Sequence, residues 1–116
     1  MAEPVFISIS EVVGGPLRLD TDDGDRVRKK IVPALREGRR IVLSFAGVEM
    51  VIPAFLSSAI GQLYGEFSEE QVDSLMVVQD LPKGTRPTIE TLRRWAKAYY
   101  RDPVAYLKAI QEISGE

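Results

Sequence analysis

The stretch from Arg40 to Phe67 limits the possible folds more than any other part of the chain. Ile41, Val42, Leu43 and Phe45 form a short apolar, β-rich run, which reads as a central strand covered on both faces. A tight turn follows, and a helix opens at Pro53, where the missing N–H of proline leaves nothing unpaired. Function is therefore sought at this turn.

At about 100° per residue, Leu56, Ala59, Ile60, Leu63, Tyr64 and Phe67 share one broad arc that faces the core. Ala54, Ser57, Ser58, Gly61 and Gly65 share another, roughly 100° wide, with Phe55, Gln62 and Glu66 beyond it. Two glycines inside a helix cost about 1 kcal/mol each relative to alanine, so this strip of small side chains calls for a reason. One reason is close packing by a neighbouring helix of the same chain. The other is a partner protein docking on Pro53, Ala54, Ser57, Ser58, Gly61 and Gly65, with Phe55 as an apolar anchor outside the core arc.

A chain of 116 residues is one domain with room for a genuine core. Apolar and charged fractions of 45% and 28% are those of a globular protein, and a net charge of −2 argues against general binding to nucleic acid or membrane surfaces. The chain has neither Cys nor His. Ser-His and Cys-His nucleophile pairs, thiol redox chemistry, disulfides and ordinary structural zinc sites are thereby excluded. No apolar run approaches a membrane span and the N-terminus lacks the pattern of a signal peptide, so a cytoplasmic protein without a cofactor is expected.

Asp20-Thr21-Asp22-Asp23-Gly24-Asp25 is the densest acidic cluster. A calcium loop starting at Asp20 would need oxygen at the fifth place, where Gly24 stands, and Glu at the twelfth, where Ile31 stands. The start of a helix explains the cluster better: Thr21 or Asp22 caps it, and the other acids face the positive end of its dipole.

The remaining pattern alternates. Val5 to Ser10 reads as a strand with Val5, Ile7 and Ile9 on one face, a Gly14-Gly15-Pro16 break follows, and Leu17 to Leu19 adds a short extended piece. The first helix runs from about Asp22 to Glu37 with Val27, Ile31, Ala34 and Leu35 inward, Pro33 kinking its last turn and Gly38 stopping it. Ser68 caps a brief turn before a third strand at Leu75 to Gln79. Thr88 caps a helix with Ile89, Leu92, Ala96 and Tyr99 inward, ending near Arg101, and Val104 to Ile113 forms a last short helix. Trp95 is expected to pack against the domain edge or that last helix. The order β, α, β, α, β, α, α implies an α/β domain with a small mixed or mostly parallel sheet, spanning 1–101, and 102–116 as its C-terminal helical extension.

Three runs now carry a resemblance: Gly14-Gly15-Pro16-Leu17-Arg18-Leu19-Asp20; Ile31-Val32-Pro33-Ala34-Leu35; and Ile41 to Glu49 followed by Pro53-Ala54-Phe55-Leu56. Together they resemble the STAS-like domain family of unknown function, a distant relative of the STAS domains of sulphate transporters and anti-sigma-factor antagonists. The likeness covers roughly Val5 to Tyr99. It implies a small α/β binding platform of a bacterial regulatory system. In anti-sigma antagonists the loop after a central strand and the helix it leads into dock a GHKL-type ATPase kinase. Those relatives carry Asp-Ser-Ser-Gly at that loop, and phosphorylation of the second Ser blocks docking. The matching positions here are Ile52, Pro53, Ala54 and Phe55. Ala54 has no hydroxyl, so phosphorylation there is excluded, whereas Ser57 and Ser58 one turn later remain as substitutes.

Three function classes follow. The first is a non-catalytic protein-interaction module using the Pro53 to Gly65 face. The second is nucleic-acid binding through Arg94, Lys97 and Arg101, which share one helix face, although Glu90 and the acidic remainder dilute that patch. The third is an enzyme using Asp20, Asp22, Asp23 or Glu49 with a divalent ion. A homodimer built on the small-residue face is compatible with all three.

Overall fold

Three four-residue strands, β1 (Val5–Ser8), β2 (Ile41–Ser44) and β3 (Met76–Gln79), form a parallel sheet in the order β1-β2-β3. Val5, Ile41 and Met76 stand in register, as do Ile7, Leu43 and Val78 two places on, and these rows face the core. The computed structural model describes residues 3–14 and 20–113, so the extended piece expected at Leu17 to Leu19 lies outside the described residues.

Helices account for most of the rest: α1 (Ile9–Val13), α2 (Thr21–Arg36), α3 (Pro53–Leu56), α4 (Leu63–Glu66), α5 (Glu69–Leu75), α6 (Arg86–Arg101) and α7 (Pro103–Ile113). A π-helical segment, Ser57–Gly61, joins α3 to α4, so that Pro53 to Glu66 is one rod with a wider turn in its middle. The alternation of strand and helix read from the sequence is the architecture found.

Several local expectations are corrected. β1 stops at Ser8, whose hydroxyl accepts the Glu11 N–H and caps α1, so Ile9 reaches the core from a helix instead of a strand. The cap of α2 is Asp20, reciprocally bonded with Asp23 in a capping box. Ser68 caps a two-turn helix, α5. The cap expected at Thr88 is absent, because α6 starts two residues earlier with Pro87 in its first turn. Pro33 stands inside α2, and Gly38 lies just past its end, as read, at a φ of 71°.

Coverage of β2 on both faces is also corrected. Phe6, Val42 and Val77 stand in register on the opposite face of the sheet, where Phe6 and Val77 are exposed among the described residues. The core lies on the other side, between the sheet, α2 and the Pro53–Glu66 rod.

Candidate functional site

The turn singled out from the sequence begins at Ser44, a buried residue at the end of β2. Its hydroxyl donates to the Asp80 carboxylate at 3.2 Å and accepts the Ala46 N–H at 3.2 Å, tying the exit of β2 to the exit of β3. The chain then reverses through Gly47, whose φ of 82° is one that a side chain would strain. It exposes Met50 and arrives at Pro53 in extended geometry at Ile52.

The expected docking residues divide into two groups. Pro53, Ala54, Ser57 and Gly65 are exposed. Phe55, Ser58 and Gly61 are buried, and Phe55 has no exposed surface at all. The placing of Phe55 outside the core arc is therefore corrected. A wheel with one buried arc describes a helix lying on a surface, whereas this rod is packed on two sides, by α2 and by α6.

Ser58 marks the α2 side of the rod. Its single hydroxyl proton is shared between the Thr21 carbonyl at 2.9 Å and the nearer Asp25 carboxylate at 2.5 Å, while Arg28 donates to the Ser58 carbonyl at 2.6 Å and pairs with Asp25 at 2.9 Å. The Ser58 hydroxyl, with the charge of Arg28, holds the Asp25 carboxyl below its ordinary pKa. Gly24 makes this approach possible, since a Cβ there would lie 2.7 Å from both the Phe55 carbonyl oxygen and the Ser58 Cβ. Ser58 is thus a closed structural hydroxyl, and Ser57 is the exposed one. The wider turn is closed by the Gln62 N–H donating to the Ser57 carbonyl at 3.1 Å, five residues back, a local π geometry often met at functional sites.

The opposite side meets α6. A Cβ on Gly61 would sit 3.7 Å from the Ala96 Cβ, and one on Gly65 would meet the Tyr100 ring at 2.5 Å. The chain's own C-terminal half therefore packs over these two glycines, as the first of the two sequence explanations requires. The packing leaves an open groove of about 380 Å³ along the rod, with Ser57, Gly61 and Gln62 on one wall and Trp95, Tyr99 and Tyr106 on the other. A second hollow of about 360 Å³ continues past Leu92 and Trp95 to Pro53 and Pro87. Trp95, expected against the domain edge or the last helix, is instead half exposed in both walls. The signal for it was its i, i+4 spacing from Tyr99.

Of the basic trio, Lys97 pairs with Asp73 at 2.5 Å and Arg101 donates two hydrogen bonds, each of 2.6 Å, to the two carboxylate oxygens of Glu69, while Arg94 is exposed. Arg101 in turn holds the Glu69 carboxyl below its ordinary pKa. Arg93 and Asp73 both bond the buried Tyr64 hydroxyl, at 2.8 Å and 2.6 Å. Burial first, and the Asp73 hydrogen bond second, push the Tyr64 phenol up to about 12. This cluster locks α4, α5 and α6 together. Of the acidic candidates, Asp20 and Asp23 cap α2, and Glu49 is exposed in the β2–α3 loop. No group of acidic residues able to hold a metal ion occurs among the described residues. Nor is any helix among them long and apolar enough to cross a membrane.

No curated protein and no solved structure matches the sequence. The sequence model of one family does match, over residues 23–84, which is narrower than the likeness read from Val5 to Tyr99 and runs from α2 to the loop before α6. With more than half of its length so matched, the chain belongs to the family described as STAS-like domain of unknown function (DUF4325).

Proposed function

We propose that this domain is a non-catalytic interaction module of a regulatory system, which docks a protein partner at the start of the Pro53–Glu66 rod. The observation that carries this reading is the exposure of Pro53, Ala54 and Ser57 directly after a loop that exposes Met50, with the apolar hollow of Leu92 and Trp95 alongside. The docking surface is thus the opening turn of the rod, without Phe55, Ser58 and Gly61, which the fold uses internally. Binding, as against catalysis, is further supported by the state of the titratable groups. Asp20, Asp25, Tyr64, Glu69 and Asp73, whose ionisation is shifted, are each engaged in a cap, a buried bond or an ion pair.

A GHKL-type ATPase kinase is the partner class to try first, because related domains meet such partners through this turn. Ala54 stands where those relatives are phosphorylated, so the domain presents a permanently uncharged, docking-competent surface. Ala54→Glu imposes the charge that phosphorylation would bring. In a calorimetric titration of purified GHKL-type ATPases from the same genome, the wild-type chain should bind at least one, and Ala54→Glu should weaken that binding at least tenfold, about 1.4 kcal/mol, with its melting temperature unchanged. Binding unaffected by Ala54→Glu, or no binding to any of them, overturns the proposal.

A further inference from the structure

The helix α7 is anomalous for its surroundings. Asp102 caps it, accepting the Ala105 N–H at 3.1 Å, so its start is well specified. Yet eleven residues fall short of the length at which an isolated helix holds in water, and such a helix depends on burying an apolar face. α7 packs substantially on α6 alone among the described elements. Tyr106 reaches back to stack edge-on against Tyr99 with ring centres 5.5 Å apart. Ile110, about 40° from Tyr106 on the wheel, and Leu107, about 100° from it, remain 39% and 56% exposed, and Val104 72%.

The groove between the rod and α6 has the complementary character. Its lining is uncharged, with Ser57, Gly61 and Gln62 facing Leu92, Trp95 and Tyr99, and of the chain's own α7 only Tyr106 reaches it. The ridge formed by Val104, Leu107 and Ile110 is uncharged as well. Each chain therefore carries both a small-residue groove and an apolar helical ridge that does not fill it. Possession of both halves is what a two-fold, self-complementary contact requires, residue i of one copy meeting residue j of the other and the reverse.

From this geometry we infer that the occupant of the groove is a second copy of this chain, with α7 of each protomer laid into the α6 groove of the other. Trp95, Tyr99, Tyr100, Val104, Leu107 and Ile110 together expose on the order of 600 Å² per copy, which if buried in both copies reaches the low end, about 1,200 Å² in total, of what a stable interface needs. The family match ends before α6, so it takes in Ser57, Gly61 and Gln62 of the groove but neither α6 nor the α7 ridge. The pairing does not depend on partner docking at Ala54.

The test uses the full chain, whose single tryptophan, Trp95, is an internal reporter. In sedimentation and light scattering, the wild-type protein should show twice the 12.9 kDa of one chain, dissociating on the order of 10 μM or below. Trp95 emission should shift to the red on dilution through the same range. L107E/I110E should be monomeric throughout, with red-shifted emission at every concentration. Its far-ultraviolet dichroism and cooperative unfolding should persist, since neither residue belongs to the core. A wild-type monomer at 200 μM overturns the inference, as does a dimer that survives L107E/I110E. A dimer lost instead on Phe6→Lys would assign pairing to the open face of the sheet and overturn it equally.

Discussion

The Pro53–Glu66 rod is gripped from two sides, and the two grips differ in kind. Against α2 the main chains approach closely, with Gly24 under the Phe55 carbonyl, and side-chain hydrogen bonds tie Ser58 to Thr21, Asp25 and Arg28. Against α6 it is made by side chains, Ala96 and Leu92 over Gly61 and a half-exposed Tyr100 over Gly65, with a groove left beside them. Small residues on one helix thus serve opposite purposes. On the α2 side they bring main chains together and fix the core, and on the α6 side they leave room.

The largest effect should come from the residue that sequence reasoning placed on the surface. Phe55 is fully buried, so Phe55→Ala should cost about 3–5 kcal/mol in urea unfolding. Phe55→Glu, a natural probe of docking if the ring were exposed, should fail to fold, because a buried unpaired carboxylate costs more than a domain of this size can lose. A soluble, cooperatively folded Phe55→Glu protein would show that the rod is not enclosed on this flank.

Next comes Gly24→Ala. Alanine is the better helix former by about 1 kcal/mol, yet its methyl would stand 2.7 Å from the Phe55 oxygen, which belongs to the backbone and has no rotamer to change. α2 must back away and the Ser58 bonds lengthen. A net loss of about 2 kcal/mol is expected from overpacking of this kind, and wild-type stability for Gly24→Ala would contradict the rigid grip.

These two positions also show what was legible in the sequence. Strand, turn and helix order followed from local periodicity and from Pro53, Gly38 and Ser68, whose effects act within a turn of the chain. The family followed from the same stretch. The burial of Phe55 did not, since it depends on α2 and α6 arriving from 30 residues before and after, and on a π turn that shifts the helical phase in mid-rod. The wheel assumed one arc and one pitch. Nor did the division of the small-residue strip follow, because a glycine looks the same in sequence whether a backbone or a movable ring lies above it. Gly24 stood in an acidic cluster that invited a capping explanation, which the structure places on Asp20 instead of Thr21 or Asp22.

The polar lock between α4, α5 and α6 should yield a smaller effect with a clear dependence on pH. Removing the Tyr64 hydroxyl in Tyr64→Phe should cost about 1 kcal/mol. The folded phenol is pushed up to about 12 from 10.0, so the neutral form is favoured on folding. Its contribution is complete below the unfolded value and disappears as pH rises through the folded one. Phenolate absorbance should show one tyrosine titrating near 12, absent from Tyr64→Phe. For Asp73, burial works to raise the pKa, but the hydrogen bonds from Lys97 and Tyr64 outweigh it and leave the group lowered from 3.8. Its stabilisation is present above that unfolded value and is lost as pH falls through the folded one, so Asp73→Asn should flatten the acid limb of the stability curve.

The smallest effects are the most discriminating for the comparison itself. A methyl on Gly61 would rest 3.6–3.9 Å from Ser57, Ala96 and Leu92, ordinary contact, so Gly61→Ala should gain about 0.5 kcal/mol through the unfolded chain. A methyl on Gly65 would overlap the Tyr100 ring at 2.5 Å, closer than anything at Gly24, yet that ring is 40% exposed and ends a flexible side chain. Swinging it outward costs a rotamer and some edge contact with Tyr99, which the helical gain offsets, so Gly65→Ala should change stability by less than about 0.5 kcal/mol. The tighter overlap thus gives the smaller loss, because what matters is whether the opposing atom can move. Should Gly65→Ala cost as much as Gly24→Ala, Tyr100 would be as fixed as a main-chain carbonyl, and the α6 side of the rod would be as rigid as the α2 side.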